Sequence, residues 1–411
     1  MNDIPNAQRP HIAFFGRRNA GKSSIVNRVT GQALAVVSPQ AGTTTDPVYK
    51  AMELLPAGPV VIIDTPGYDD EGSLGDLRVA KTRQVLDRTD LAILVIDGSA
   101  AEAHALVPAD KALLEAFRER EIPYLVVYNK EDLQETTPSP GEGFPAPLHV
   151  SALTGDGIPE LKERIAAALA EATGAQRTLV ADLLHPGDQI ILVIPLDESA
   201  PKGRLILPQQ QVLREALEAG GIVACCRPPE LARTIQTMSA PALVITDSQV
   251  FREVAAIIPA EIPLTSFSIL MARYKGFLDT ALQGIHAIDS LQDGDRILIA
   301  EGCTHHRQCN DIGTVKIPRW LREHSQAGFV HETVSGRDFP EDLHSYRLVI
   351  HCGGCMLTER EIRTRAKRSI AQGVPFLNYG LLIAHMNGIL QRSIAPLGRT
   401  ISTERNDKYD R

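Results

Sequence analysis

Residues 11–24 read HIAFFGRRNAGKSS, a short apolar run that leads directly into a G-x-x-x-x-G-K-S loop. A helical pattern, SSIVNRVTG, follows the loop. This order of strand, loop and helix predicts a phosphate-binding loop, because glycines let the backbone curl and its N–H groups cradle phosphate oxygens. Lys22 is expected to reach the β- and γ-phosphates, and Ser23 to hold Mg²⁺.

A second buried strand with an acidic end supports this interpretation over a chance glycine-rich turn. Val60-Val-Ile-Ile-Asp64-Thr-Pro-Gly67 places Asp64 where a carboxylate can hold the Mg²⁺ shell, and Gly67 where an N–H can sense the γ-phosphate. Nucleotide binding with metal-assisted phosphoryl transfer is therefore predicted for this part of the chain.

Two further loops indicate that the base is guanine. One strand is predicted over 91–97, and the next, over 124–128, leads to Asn129-Lys130-Glu-Asp132. The Asp132 carboxylate can accept hydrogen bonds from guanine N1–H and the 2-amino group, a donor pair that adenine lacks. Ser151 and Ala152 follow the strand LHV and supply a last loop at the base edge. An ATPase binds adenine and would have no use for this N-K-x-D sequence.

Residues 10–172 resemble the translation-factor-class small GTPases, closest to the tRNA-modifying and ribosome-assembly subgroup. In that subgroup a GTTRD-like segment forms the first switch, and Gly42-Thr-Thr44-Thr-Asp46 is similar to it, with Thr45 in place of arginine. The resemblance implies that Thr44, or alternatively Thr43, closes on Mg²⁺. It also implies a K⁺ ion held by Asn19, although an asparagine that merely stabilises the loop is the alternative.

Intrinsic hydrolysis is expected to be slow, because Tyr68 stands where many GTPases place a water-orienting glutamine. The expected catalytic residues are Lys22, Asn19, Thr44, Asp64 and Gly67. The residues expected to contact GTP and Mg²⁺ are Gly16, Asn19, Ala20, Gly21, Lys22, Ser23, Ser24, Thr44, Asp64, Gly67, Asn129, Lys130, Asp132, Ser151 and Ala152.

Composition limits the class of protein. The 411 residues allow two to three domains, and 44% hydrophobic with 22% charged residues is typical of a soluble globular protein. A net charge of -8 without a dense basic block gives no support to a nucleic-acid or anionic-membrane partner. Since no apolar run reaches membrane length and no signal peptide is visible, a cytoplasmic protein is expected.

The middle of the chain predicts an α/β sheet without catalytic motifs. The segment 173–177 breaks the helical pattern and is interpreted as a linker. Strand-like and helical segments then alternate from Ile190 to Thr246. Cys225 and Cys226 are adjacent at the end of an apolar strand, so their side chains point to opposite faces and are not expected to bind one metal together. They are expected to be buried and inert.

Cysteines and histidines follow two late strands. The predicted strand from Arg296 runs into Cys303-Thr-His305-His-Arg-Gln-Cys309, and the one from Tyr346 runs into His351-Cys352-Gly-Gly-Cys355. Ligands bind at this edge of open α/β sheets. Zn²⁺ and an iron–sulfur cluster both suit such ligands, and a redox pair of Cys352 and Cys355 is a third possibility. The expected metal ligands are Cys303, Cys352 and Cys355, then His305, with His351 less favoured and Cys309 a bystander.

Together these features resemble the [FeFe]-hydrogenase maturation GTPase family, HydF, as does the stretch Ala200-Pro-Lys-Gly-Arg-Leu-Ile-Leu-Pro-Gln. The resemblance implies an α/β protein with a P-loop GTPase domain (1–172), a dimerisation domain (173–268) and an iron–sulfur domain (269–411). It further implies a homodimer that binds a [4Fe-4S] cluster and takes a di-iron precursor from radical-SAM maturases to apo-[FeFe]-hydrogenase. A ribosome- or tRNA-associated GTPase with a structural zinc is the alternative.

Overall fold

The computed structural model describes residues 5–32, 46–67, 81–99, 107–133, 147–173, 177–196, 205–238, 240–302, 311–336 and 338–401. The chain divides into two compact units, Met1–Gln176 and Arg177–Arg411. The predicted division into three domains stays a prediction. The helix Phe267–Tyr274 continues across the predicted boundary at residue 268.

A six-stranded sheet forms the centre of the first unit. Its strands are β1 His11–Gly16, β2 Val48–Leu54, β3 Gly58–Asp64, β4 Leu91–Asp97, β5 Tyr124–Asn129 and β6 Leu148–His149. They lie in the order β2-β3-β1-β4-β5-β6, with β2 antiparallel to β3 and all other neighbours parallel. Each predicted strand of this unit is present, to within two residues at either end.

Both faces of this sheet are covered. Along β1, Ile12 and Phe14 belong to one apolar core, and Ala13 and Phe15 to another, because successive side chains of a strand point to opposite faces. Helices lie over these cores: Lys22–Thr30, Pro108–Glu119 and Ile158–Thr173. A mostly parallel sheet with helices on both faces is the α/β arrangement expected for a P-loop domain.

The second unit contains two four-stranded parallel sheets. The first, in the order β10-β9-β7-β8, is built from β7 Gln189–Val193, β8 Ile222–Cys226, β9 Leu243–Thr246 and β10 Leu264–Ser266. The second, in the order β12-β11-β13-β14, is built from β11 Arg296–Glu301, β12 Val330–Ser335, β13 Leu348–His351 and β14 Phe376–Asn378. One continuous cluster of buried apolar side chains includes residues of both sheets.

Helices connect the parallel strands of the second unit. They are Leu207–Glu218, Leu231–Thr237, Phe251–Ile257, Phe267–Tyr274, Leu278–Gln283, Ile317–Ser325, Glu359–Ala371, Tyr379–Met386 and Leu390–Ile394. β13 begins at Leu348 rather than Tyr346, because Tyr346 closes a turn through its N–H to the Leu343 carbonyl. The alternation of strands and helices confirms the predicted α/β class.

The expectation that Cys225 and Cys226 are buried is wrong. Cys225 is exposed and Cys226 half-buried. Both lie on β8, an edge strand of its sheet, whose Ile222 is 56% exposed. An apolar edge strand left open to solvent is a template for pairing with another chain.

Within the described stretches, no helix combines the length and the apolar character that crossing a membrane requires.

Two glycines with positive φ test how tightly the first unit is packed. A Cβ at Gly157 (φ +71°) would lie 2.2 Å from the His149 carbonyl oxygen, whereas a Cβ at Gly31 (φ +66°) would meet no atom within 4 Å. We expect Gly31→Ala to lower the free energy of unfolding by about 1 kcal/mol through backbone strain alone. Gly157→Ala should lower it by about 3 kcal/mol, because the backbone must also shift.

The measurement is denaturant unfolding of each variant and of the unsubstituted chain under the same conditions. Equal losses for the two variants would contradict the packing around Gly157.

Candidate functional site

The loop after β1 is closed by the Lys22 side chain. Its Nζ donates to the carbonyl oxygens of Gly16 and Arg17, both at 2.8 Å, and the side chain is buried. Gly21 precedes the helix Lys22–Thr30 with φ +89°, and Asn19 has φ +61°, so the loop turns through the left-handed region twice. The ammonium group is therefore held inside a tightly curled loop, as phosphate binding requires.

The carboxylate at the end of β3 lies beside this loop. Asp64 Oδ2 accepts a 2.7 Å hydrogen bond from Ser23 Oγ. Burial raises the pKa of Asp64, and the hydrogen bond from Ser23 and the charge of Lys22 act in the opposite direction. Asp64 Oδ1 is buried and has no hydrogen-bond partner among the described residues. A hydroxyl next to a buried, unsatisfied carboxylate oxygen fits Mg²⁺, which prefers hard oxygen ligands.

Asn129 connects the phosphate loop to the two base loops. Its Nδ2 donates to the Ala20 carbonyl at 3.0 Å, and its Oδ1 accepts from the Ala152 N–H at 3.0 Å. A Cβ at Gly21 would lie 2.1 Å from Asn129 Nδ2, so only glycine allows this close approach. One buried amide thus joins three of the predicted nucleotide loops.

The guanine-specific residues are positioned by neighbouring side chains. Asp132 Oδ1 accepts a 2.5 Å hydrogen bond from the buried Ser151 Oγ, which orients the carboxylate. Lys130, with φ +68°, forms an ion pair with Asp97 at the end of β4. Partial burial acts to raise the pKa of Asp97, but the hydrogen bonds from Lys130 and Ser99 outweigh it and the pKa is lowered.

Asp97 is a residue that the sequence reasoning missed as part of this site. Asp97 lies at the carboxyl end of β4, between β1 and β5, whose following loops belong to the site. This position could have identified it as a site residue. Of the predicted residues, Thr43, Thr44, Thr45 and Tyr68 lie outside the described residues. Gly67 lies at the last described position after β3.

The Cys352 sulfur lies in the turn that follows β13, next to the end of the neighbouring strand β11. Gly302 N–H, directly after β11, and Gly354 N–H both donate to Cys352 Sγ, at 3.1 and 3.3 Å. The Cys352 N–H donates in turn to the Ala300 carbonyl at 3.0 Å. Two backbone N–H groups therefore hold this sulfur in place at the edge of the sheet.

Glycines make this turn possible. Gly354 has φ +66°, and a Cβ there would lie 1.8 Å from Ile362 Cδ1. A Cβ at Gly302 would lie 2.9 Å from Leu357 Cγ and 3.3 Å from Gly354 Cα. The end of β11 and the Cys352–Cys355 turn are therefore in close contact, as the shared sheet edge predicted.

Cys355 lies beside a buried cation. Burial raises the pKa of its thiol, while the Lys275 ammonium and the N–H groups of Cys355 and Met356 act to lower it. Lys275 is 2% exposed, and its Nζ donates to the Leu357 carbonyl at 2.7 Å. No sequence spacing indicated Lys275, which approaches the cysteine turn from the end of the helix Phe267–Tyr274.

His351 is fully buried and has partners at both ring nitrogens. Nδ1 lies 2.8 Å from the Cys352 carbonyl and Nε2 lies 3.1 Å from Arg365 Nη1. Burial, followed by the Arg365 charge, lowers the pKa of His351 to about 3, so the ring is neutral. A neutral ring that donates from Nδ1 and accepts at Nε2 fixes the backbone of Cys352 and leaves no free nitrogen for a metal.

The remaining predicted metal ligands, Cys303 and His305, lie outside the described residues, as does Cys309. Among the described residues, Cys352, Cys355 and His351 do not bring three ligand atoms within 4.8 Å of one another. The donor set nevertheless fits a thiophilic metal group, because two sulfurs lie near backbone N–H groups and a buried ammonium.

Comparison with known protein families separates the GTPase unit from the rest of the chain. Residues 11–130 match the 50S ribosome-binding GTPase model. Residues 179–276 match the hydrogen maturase F dimerization domain, and residues 279–396 match its tetramerization domain. The chain belongs to the hydrogen maturase F family. Its first unit is a GTPase domain, and its second carries the two assembly domains of that family.

Curated GTPases resemble part of the chain. The chain is 31% identical over 173 residues to the tRNA modification GTPase MnmE of Nitrosomonas europaea, a match covering 42% of this chain and 36% of that protein. It is 32% identical over 164 residues to the GTPase Der of Chromobacterium violaceum, covering 38% of this chain and 34% of that protein. The chain thus spans about a third of the length of these relatives.

A solved structure of Era from Aquifex aeolicus bound to GDP and AlF4⁻ aligns with 60% of this chain and 97% of its own, at 18% identity and a TM-score of 0.33.

The position of Asp132 predicts a change of base preference. We expect Asp132→Asn to weaken GTP binding by about 100-fold, because the amide cannot accept both guanine hydrogens. Binding of xanthosine triphosphate should improve, since xanthine offers an acceptor at the 2-position. The measurement is competition between the two nucleotides by isothermal titration. Unchanged GTP affinity would contradict a base-contacting role for Asp132.

Proposed function

We propose that this protein is a GTP-hydrolysing scaffold and carrier in [FeFe]-hydrogenase maturation. In this proposal it binds a [4Fe-4S] cluster and delivers a di-iron precursor to the apo-hydrogenase in the cytoplasm, where thiols stay reduced. The observation that carries the proposal is the Cys352–Cys355 turn packed against Gly302, within a chain of the hydrogen maturase F family.

Three cysteines are assigned to the cluster. Cys352 and Cys355 lie in the turn, and Cys303 is bonded to Gly302, whose N–H already contacts the Cys352 sulfur. Cys303 is the next residue in the chain after Gly302, and we assign its thiol to the same cluster. When bound, the cluster supplies an iron that three thiolates leave open to exchange, which suits a carrier.

The histidines receive different roles. We assign His305 as an exchangeable fourth ligand, on the basis of its spacing from Cys303. His351 is assigned a positioning role, because both of its nitrogens are engaged by the Cys352 carbonyl and Arg365. Lys275 compensates part of the negative charge that thiolates and a cluster introduce.

GTP chemistry is assigned to the first unit. Lys22 neutralises the β- and γ-phosphates, and Ser23, Asp64 and Thr44 hold Mg²⁺. Gly67 senses the γ-phosphate, and Asn19 holds a K⁺ ion that adds to charge neutralisation. With Tyr68 in place of a glutamine, no side chain at that position orients the attacking water well, so hydrolysis is slow without stimulation.

Assembly is assigned to the second unit. The match of residues 179–276 to a dimerization domain agrees with the exposed apolar edge strand β8, where Ile222 and Cys225 face solvent. We propose that two chains pair along β8, which would satisfy the open backbone groups of that edge. Radical-SAM maturases and the apo-hydrogenase are the proposed further partners.

Cluster binding predicts a clear result for cysteine variants. Cys352→Ala and Cys355→Ala should each reduce iron and sulfide content severalfold after anaerobic reconstitution, because each removes one of three thiolates. Cys226→Ala, a matched thiol on β8, should leave both unchanged. The measurement is iron and sulfide analysis together with electron paramagnetic resonance of the reduced protein.

Stoichiometric zinc without iron, in both the unsubstituted protein and Cys226→Ala, would contradict the carrier role. That result would favour a ribosome- or tRNA-associated GTPase with a structural zinc instead.

The separation into two units predicts that hydrolysis and cluster binding can be uncoupled. Lys22→Ala should reduce GTP hydrolysis at least 100-fold, because the phosphate charge loses its buried cation. Iron content should stay unchanged, since Lys22 and the cysteine turn belong to different compact units. The measurements are phosphate release and iron analysis on the same preparation, and loss of iron would contradict independent folding of the units.

A further inference from the structure

We propose that Asp289, His324 and His385 form a second metal site, separate from the cysteine turn, that binds a divalent first-row cation such as Zn²⁺. The three side chains come from separate elements of the second unit: a 3₁₀ helix, Ile285–Ser290, and the helices Ile317–Ser325 and Tyr379–Met386. One ligand atom from each lies within 4.8 Å of the others.

The distances suit a tetrahedral site. His385 Nε2 lies 3.0 and 3.1 Å from the two carboxylate oxygens of Asp289, and His324 Nε2 lies 3.2 Å from Asp289 Oδ1. Metal bonds of about 2.0–2.1 Å to nitrogen and oxygen place neighbouring tetrahedral ligands about 3.3 Å apart. The side chains therefore need little movement to accept the ion.

The fold holds these ligands in place. Ile288, next to Asp289 in the chain, is fully buried, and so is Leu321 on the helix that carries His324. Leu382, three residues before His385, is also fully buried. Because each ligand is attached to a segment anchored in the core, binding an ion costs little ordering of the backbone.

Electrostatics at this position favour a cation. His324 and His385 lie in the last turns of their helices, where carbonyl oxygens give the helix end a partial negative charge. The Asp289 carboxylate adds a full negative charge. The cluster is also open to the solution, since Asp289 and His324 are exposed and His385 is partly exposed.

A third imidazole lies beside the three ligands. His286 Nδ1 is 3.9 Å from Asp289 Oδ2, and its ring centroid is 6.4 Å from that of His385. A rotation of the partly exposed His286 ring would bring it toward the fourth position of the site. Imidazole and carboxylate together suit Zn²⁺ and its neighbours in the first transition row, in contrast to the thiolates of the other site.

The two sites lie at opposite edges of the same sheet. Cys352 follows the carboxyl end of β13. The helix Ile317–Ser325 connects β11 to the parallel strand β12 and so returns toward the amino edge. The helix Tyr379–Met386 follows β14, and its His385 contacts the same Asp289. Ser290 Oγ accepts a hydrogen bond from Arg347, which directly precedes β13, and this places the end of the 3₁₀ helix at the amino edge.

The test is an anaerobic Co²⁺ titration of the untagged full chain. Co²⁺ bound by imidazole and carboxylate gives visible d–d bands, whereas thiolate-bound Co²⁺ adds intense near-ultraviolet charge-transfer bands, so the two sites are separable in one sample. We expect one equivalent of Co²⁺ without thiolate bands, displaced by Zn²⁺. Its dissociation constant should rise at least about tenfold in His324→Gln, His385→Ala and Asp289→Asn, a loss of about 1.4 kcal/mol.

A matched control is available in the same unit. His344 Nδ1 lies 2.9 Å from Asp342 Oδ1, an exposed pair of the same chemistry that lacks a second histidine in the described structure. His344→Ala should leave the visible bands unchanged. Repeating the titration in a chain with Cys352→Ser and Cys355→Ser confirms that the signal is independent of the thiolates.

Two results would overturn the proposal. One is the absence of thiolate-free Co²⁺ bands up to about 1 mM metal, far weaker than a built site binds. The other is an unchanged dissociation constant in Asp289→Asn, the variant that best preserves the shape of the site. Either result would reduce the cluster to a hydrogen-bonded contact between three elements.

Discussion

Parallel pairing of strands is the constraint on which both predicted sites depend. When neighbouring strands run in the same direction, the loops that follow them meet at one edge. In the first unit this brings the phosphate loop after β1, Asp64 at the end of β3 and Asn129 at the end of β5 together. In the second it places Gly302, after β11, against Cys352, after β13. Sites built from residues far apart in sequence follow from this arrangement.

Each site then uses buried polar groups to hold its loops. The Asn129 amide joins the phosphate loop to the base loops through two backbone hydrogen bonds, and removing it would leave buried partners unsatisfied. Around Cys352 the same function falls to two backbone N–H groups and to neutral His351. The buried ammonium group of the nucleotide site is that of Lys22, and the one beside the cysteine turn is that of Lys275. In both cases a buried ammonium offsets the negative charge that the proposed ligand brings.

Much of this could be predicted from the sequence, because apolar runs followed by glycine and polar residues mark parallel strands. The bounds of β4 agree with the sequence prediction to the residue, and the predicted loops follow β1, β3 and β5 as expected. The burial of Cys225 and Cys226 was mispredicted, because an apolar pattern does not show whether a strand lies at the edge of its sheet. Lys275 and the Asp289 cluster escaped prediction, because each depends on segments that pack together only in the folded chain.

The proposed delivery of iron by this chain to a hydrogenase is tested most directly by hydrogen evolution. Apo-[FeFe]-hydrogenase would be incubated with GTP, the radical-SAM maturases and either the unsubstituted chain or Cys352→Ala, and hydrogen would then be measured by gas chromatography. We expect activity with the unsubstituted chain and at least tenfold less with Cys352→Ala. Equal activity with both chains, or with neither chain added, would contradict it.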